Sequence, residues 1–306
     1  MVQFIAKRCA QAVFVVFAVT LIVALAIRMT GDPAIMLAQG AGSVTEEDLA
    51  RIREALGLNR PFLTQYFEFL KGLVTGDLGT SFDGYPVSQL VNRALPATLL
   101  LAAVSLIFSV VVSIPLGIKA ATAKGRWPDQ VIRIFSLIGL SFPNFWLGTM
   151  FVLAFAITLN WLPASGMGGP STILMPAATM GLILTATNVR LVRGAMLETL
   201  QSQYIMVARA KGLSENVVLY KHALKNCAIT LVTYFGLQFG GLLGGIVIIE
   251  RVFNWQGMGT LAFDAVAARN YPVLQAVIAI LSLMIVLVNL LVDIAYGFLD
   301  PRIRAE

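Results

Sequence analysis

The chain has 306 residues, 58% of them hydrophobic and only 12% charged, about half the ~25% charge of an ordinary soluble domain. One core of this length cannot hide so much apolar surface, so a water-soluble enzyme, a disordered chain and a nucleic-acid binder are excluded together. The net charge of +6 acquires meaning through its placement in loops rather than as a basic patch.

Stretches free of Asp, Glu, Lys and Arg mark candidate membrane spans, because each such residue is costly at the bilayer centre. A crossing helix needs about 20 apolar residues. The first stretch runs from Cys9 to Ile27. Lys7 and Arg8 precede it, as in a signal peptide, but no small-residue cleavage pattern closes it, so a retained helix is expected. Next comes a long polar segment. Thr45 followed by Glu46, Glu47 and Asp48 reads as a helix start, with a cap and acids in the first turn. Leu49, Ile52 and Leu56 share one face of that helix, and Gly57 ends it. A further helical piece follows Pro61, with Phe62, Tyr66, Phe69 and Leu70 as its apolar side.

Ala94 to Ile118 is the second span. The uncharged run from Ile134 to Val189 is too long for one crossing and suits two, broken at Pro163, Gly166, Gly168, Gly169 and Pro170. Asn226 to Ile249 and Asn270 to Val292 complete the set. The expectation is an all-α polytopic membrane protein with six transmembrane helices. Residues 1–28 form the N-terminal helix and residues 29–93 an extracytoplasmic subdomain of short helices. Residues 94–306 form a core of five helices, with a cytoplasmic coupling segment at 190–225 between spans four and five. Six spans put both termini on one side. If that side is the cytoplasm, most of the 22 basic residues fall inside and most acids outside, as the positive-inside rule requires.

The inside segment carries the clearest functional pattern. Leu197 to Asn226 reads as helix, tight break, helix. The first arm runs through Tyr204, Val207, Ala208 and Lys211. Gly212 suits the positive-φ position after a helix end. Ser214 suits the cap of the second arm, which holds Val217, Val218, Tyr220, Ala223 and Leu224. Ala208, Ala210 and Gly212 permit close backbone approach, with Arg209 and Lys211 at the rim. Such a hairpin can dock into a groove on another protein. The bland alternative is an amphipathic loop lying on lipid.

Other residues invite a functional reading beside a plainer one. Asp293, within the last span, is a functional candidate by location, yet near the helix end snorkelling or a local pair with Arg302 would satisfy it, and the structural role is preferred. His222 is the single histidine, and a polar contact is its simplest role. Gly236, Gly240 and Gly244 form a small-residue stripe for helix contact, either within the chain or across a subunit boundary. Glu250, Arg251, Asn254 and Trp255 follow the fifth span. They suit an interfacial aromatic belt, a contact for an extracytoplasmic protein, or an outer gate. Cys9 and Cys227 lack the spacing of a disulfide or metal site. No G-x-x-x-x-G-K-[ST] phosphate loop occurs, so any nucleotide-driven motion is powered by another chain. An autonomous channel or secondary transporter is the alternative class. It is favoured by inverted repeats, which the sequence does not display.

Taken in order, the motifs resemble a known family along nearly the whole chain. They are FIAKR at Phe4–Arg8, GDPA at Gly31–Ala34, GDLGTS at Gly76–Ser81 and LPAT at Leu95–Thr98. They continue with SFPNFWLG at Ser141–Gly148, WLPASG at Trp161–Gly166 and ARAKGLSE at Ala208–Glu215. ERVFNWQGMG at Glu250–Gly259, RNYP, and YGFLDPRIR at Tyr296–Arg304 close the series. The chain resembles the inner-membrane permease subunits of bacterial ABC importers, in the oligopeptide/dipeptide/nickel family, the first of its two permease types. The resemblance implies a non-catalytic subunit of the bacterial inner membrane, forming half of a solute pathway, with di- or oligopeptides the commonest cargo. It implies a second homologous permease, two ATPase subunits that use ATP and Mg, and an extracytoplasmic solute-binding protein. No cofactor is expected on this chain itself. Tyr204, Ala208, Arg209, Ala210, Lys211, Gly212, Leu213, Ser214 and His222 fall in what looks like the ATPase-coupling loop of that family. The general form of that loop, E-A-A-x-x-x-G with a later I-x-L, is only partly met. Aligned on Gly212, Met206 and Val207 replace the first two residues and His222 replaces the isoleucine. The peptide-type form Y-x-x-x-A-R-A-K-G-L-S matches at Tyr204–Ser214.

Overall fold

The computed structural model describes residues 2–29, 34–35, 45–55 and 59–299. The expected features at residues 31–33, at Leu56 and Gly57 and in the tail at 300–304 lie outside the described residues, as does the side chain of Ile52. Among the described residues helix is the regular structure, with one isolated bridge between Thr80 and Pro86.

Helix α1, Val2–Met29, is long and apolar, as lipid contact demands. Helix α2, Glu46–Ala55, starts where the cap residues predict. Thr45 Oγ1 donates to Asp48 Oδ2 at 2.7 Å, and Asp48 N–H returns to Thr45 Oγ1 at 3.3 Å. The Thr45 hydrogen bonds hold the exposed Asp48 carboxyl below its ordinary range. Helix α3, Phe62–Thr75, ends on Gly76 in the left-handed conformation. Its Tyr66 is buried against α1. The Tyr66 hydroxyl meets Phe17 O and Thr20 Oγ1, each at 2.9 Å.

Helix α4, Val87–Thr122, is the spine of the molecule. It lies along α7, Leu174–Leu200, the most enclosed helix of the bundle. Glycines allow that approach: a Cβ on Gly117 or Gly181 would collide with Val192 or Phe108. Between them come α5, Trp127–Ser141, and α6, Asn144–Phe151, which runs on as a π-helical stretch, Val152–Thr158. The loop around Pro163–Pro170 is non-helical, as the breakers predict. Helix α8, Gln203–Ala210, then a π-helical stretch, Val217–Ala223, lead into α9, Leu224–Gly245. Helices α10, Val247–Val252, and α11, Met258–Ala267, precede α12, Tyr271–Leu299.

The span count differs from the sequence expectation in two places. Four helices are long and apolar enough to cross a membrane: α1, α4, the segment Val217–Gly245, and α12. A fifth arises if α5 and α6 are one span, but they are bent 99° from each other. The uncharged run hid this break, because Phe142 and Pro143 look as apolar as a straight span does. Helix α7, at 27 residues, reaches about 40 Å at 1.5 Å per residue. It carries Asn188, Arg190 and Arg193 within its length. Enclosure by α4, α5 and α9 removes the need for a wholly apolar surface.

Asp293 pairs with Arg8 at 3.1 Å and so ties α12 to α1. Arg302, offered by the sequence as one local partner, lies outside the described residues.

Candidate functional site

The hairpin is built from α8, a tight turn and the π-helical start of α9. Gly212 has φ +75°. Leu213 N–H donates to Ala208 O at 3.4 Å, and Gly212 N–H to Arg209 O at 2.9 Å. These two bonds form a Schellman ending, which needs the left-handed residue that glycine supplies without strain. Arg209 and Glu215 then clasp the turn through Nη2–Oε1 at 2.7 Å and Nε–Oε2 at 3.2 Å. Ser214 marks the start of the second arm through its backbone, accepting Val218 N–H at 3.1 Å. That arm is no separate helix. It is continuous with α9, so a displacement of the hairpin acts directly on a spanning helix.

The two faces of the hairpin differ. Ile205, Ala208, Val218, Leu219 and Ala223 are buried against Ile118, Ala121, Val192 and Met196 at the ends of α4 and α7. Each fully buried Val or Ile stabilises its place by roughly 1.5–3 kcal/mol, which seats the hairpin as part of the bundle. Tyr204, Met206, Val207, Leu213 and Tyr220 are exposed on the other side. Ala210, Lys211 and Gly212 lie on that outer side too, while Ala208 points inward. His222 is half-buried, and its carbonyl accepts Asn226 Nδ2 at 2.8 Å.

A partly buried ion pair stands behind the hairpin. Arg193, on α7, gives Nε to Asp129 Oδ1 at 2.7 Å and Nη2 to Oδ2 at 2.8 Å. Gly125 N–H adds a third bond at 3.0 Å. Asp129 is 1% exposed, and the fork-to-fork geometry fixes the α4–α5 turn to the helix that enters the hairpin. Deeper in the bundle, Asn188 Nδ2 donates to Ser109 Oγ at 2.8 Å and to Gln238 Oε1 at 2.9 Å, joining α7, α4 and α9. The sequence reading missed both. Asp129 and Arg193 sit just beyond the uncharged runs, where a helix-end ion pair was the available signal. Nothing local points to Asn188.

The outer cluster divides into two pairs. Glu250 and Trp255 are buried within the chain. The reason is local. Glu250 accepts Thr98 Oγ1 at 2.5 Å and Thr260 N–H at 2.8 Å, and also the Gly259 N–H. It thus satisfies the first turn of α11, a placement favoured by the helix dipole. Burial pushes its carboxyl up. Trp255 Nε1 donates to Ala97 O at 2.9 Å. Arg251 and Asn254 are exposed. Arg251 pairs with Asp264 at 2.8 Å and covers the Phe263 ring at 4.4 Å.

The glycine stripe runs beside α12. A Cβ on Gly236 would collide with Val292, and one on Gly240 would meet Asn289 Oδ1 at 3.2 Å. Gly244 lies 3.9 Å from Ile285 by the same measure. Gly236 and Gly240 thus pack against α12, while Gly244 is exposed at its edge. Among the described residues no cluster of His, Cys, Asp and Glu suits a metal ion.

Comparison with known proteins fits this architecture. Residues 113–305 match the family described as binding-protein-dependent transport system inner membrane component. Residues 1–101 match its N-terminal companion, the N-terminal membrane component of such systems. The glutathione transport system permease protein GsiC of Escherichia coli is 38% identical over 307 aligned positions, covering 99% of each chain. GsiC of Salmonella typhi gives the same figures. A solved chain of the MetNI methionine ABC transporter, in an inward-facing form, superposes with a TM-score of 0.58 at 20% identity. It covers 69% of this chain and 97% of that one, which supports the fold alone. The chain therefore belongs to the family of binding-protein-dependent transport system inner membrane components, the non-catalytic permease subunits of ABC importers, whose ATPase activity sits on separate subunits.

Proposed function

We propose that the hairpin of Tyr204–Ser214 is the element by which this permease is driven, docking through Tyr204, Met206, Val207, Leu213 and Tyr220 into a cleft of a partner ATPase. One observation carries the reading: an apolar outer face stands on a hairpin whose inner face is anchored in the bundle and whose second arm runs into α9. An apolar face of this kind, rimmed by Arg209 and Lys211, is the form of a helix-in-groove anchor. Two ATPase subunits bind below, using ATP and Mg, and a second homologous permease completes the pathway. Six crossings, counting α7 and the bent α5–α6 pair, would bring both termini to one side, and the positive-inside rule favours the cytoplasm for that side. Residues 1–28, 29–93 and 94–306 then serve as anchor, extracytoplasmic cap and permease core, with 190–225 as the coupling segment. Arg251 and Asn254 offer the exposed polar contacts for the solute-binding protein. The solute is peptide-like, in keeping with the glutathione named for the GsiC relatives.

The test is a cysteine cross-link in the assembled complex. Val207→Cys is expected to form a disulfide with a cysteine placed in the ATPase cleft, at a yield that changes when nucleotide is trapped. A link that never forms from the outer face, while the complex stays intact, overturns the docking assignment.

A further inference from the structure

The 99° elbow between α5 and α6 is not explained by the coupling role. Its depth can be read from its neighbours. Asp129, at the start of α5, binds Arg193 near the cytoplasmic end of α7. Gly139 then faces Ala186, halfway along α7, with a Cβ-to-Cβ distance of 3.2 Å for a methyl placed on the glycine. Gly148 reaches Phe253 and Val252 beyond the outer end of α9. The break at Ser141–Asn144 therefore lies between mid-depth and the outer face.

A broken helix at that depth is constrained. The last carbonyls of α5 and the first N–H groups of α6 lose their helical partners, Pro143 has no N–H, and no side chain caps α6. Yet Ser141, Phe142 and Pro143 are exposed on the surface of the chain. Irregular backbone at membrane depth is not tolerated against lipid tails and persists only inside protein or beside a water-filled cavity. The surface at the break is also distinctive. Phe142 and Trp146 stack at 4.6 Å with planes 10° apart, Phe145 is 52% exposed, and Ser141, Asn144 and Thr149 add neutral polar groups. No charged residue and no histidine lies between Ser141 and Thr149.

We propose that this elbow, Ser141 to Trp146, is part of the wall of the solute pathway, a neutral aromatic ledge suited to peptide planes and apolar side chains rather than to a free metal cation. Water in the pathway satisfies the freed backbone groups, and the stacked rings offer a flat surface that slides past many solutes without holding one tightly. The inference rests on the importer reading and deepens it by naming a surface the solute passes.

The experiment uses the assembled complex in membranes, with Cys9→Ser and Cys227→Ala as background. Ser141→Cys, a near-isosteric change, and Phe145→Cys are each treated with a charged methanethiosulfonate reagent, without nucleotide and after vanadate trapping. Phe14→Cys on the exposed apolar face of α1, expected in lipid, serves as the unreactive control. Both elbow cysteines are expected to react, with rates differing about tenfold or more between the two states. No reaction means burial in lipid or against the second permease, and equal rates mean a static interfacial position; either overturns the proposal. Co-isolation of an ATPase is scored beforehand. If none is found, the importer reading fails, and the elbow is then judged on reactivity alone.

Discussion

Gly212 gives a quantitative handle on the hairpin. Its φ of +75° is a conformation that L side chains rarely adopt, yet a Cβ placed there meets nothing within 4 Å. The cost of substitution in the free chain is thus conformational and not steric. Left-handed geometry costs about 1–2 kcal/mol for an ordinary residue, and a β-branched residue stands at the worse end. Gly212→Ala should therefore weaken the Schellman turn by about 1 kcal/mol, roughly a fivefold shift away from the closed hairpin, and Gly212→Val by about 2 kcal/mol, roughly thirtyfold. Asn tolerates this region, so Gly212→Asn should stay near the wild type. The assay is ATP-driven solute uptake in proteoliposomes, normalised to inserted protein. The expected order is Gly and Asn, then Ala, then Val. If Asn proves as damaging as Val, the residue acts through contact with a partner and the conformational account is refuted. Gly212→Asp, isosteric with Asn and equally tolerant of this conformation, adds only charge to the docking face, and should block transport and uncouple ATPase activity while leaving the chain inserted.

Further outcomes follow from other contacts. Arg193→Ala removes the charged partner of Asp129 from a partly buried pair and should cost about 1–3 kcal/mol, read as a lower melting temperature in detergent. The paired change Asp129→Leu with Arg193→Met should recover most of it, and a double variant as unstable as the single one contradicts the ion-pair reading. Gly236→Val should destabilise the isolated chain by about 1–3 kcal/mol through overpacking against Val292. Gly241→Ala, with open space around it, should not. Loss of stability only in the assembled complex would instead place the stripe at a subunit boundary. Glu250→Gln should cost about 1–3 kcal/mol, since the amide turns a donor either toward the α11 N–H groups or toward Thr98. An unchanged melting temperature refutes that cap.

The parts of the fold that were legible in the sequence are those governed by local rules. Thr45 and its acids start α2, Gly212 turns the hairpin, and uncharged runs mark α1, α4 and α12. What escaped depends on neighbours far apart in the chain. The partner of Asp293 is Arg8, and Glu250 is buried because Thr98 and the start of α11 come to meet it. Asn188 is tied to Ser109 and Gln238 on two other helices. The elbow escaped for another reason. Hydropathy counts apolar residues but not their direction, so Phe142 and Pro143 read as span when they mark its break. The outer face of the hairpin was only half visible. Tyr204 and Val207 stood out, but Ala208 turns inward, because one arm must share its small residues between two surfaces.

The central claim is that this permease works by docking its hairpin on a separate ATPase. The most direct test is to express the tagged chain from its native locus, extract it gently and identify what accompanies it by mass spectrometry. The account predicts a second permease and one or two ATPases bearing phosphate-binding loops, with the ATPases lost from a Tyr204→Asp, Tyr220→Asp variant that remains inserted. Recovery of this chain alone, stable and homogeneous, would contradict it and return the hairpin to the role of a loop lying on lipid.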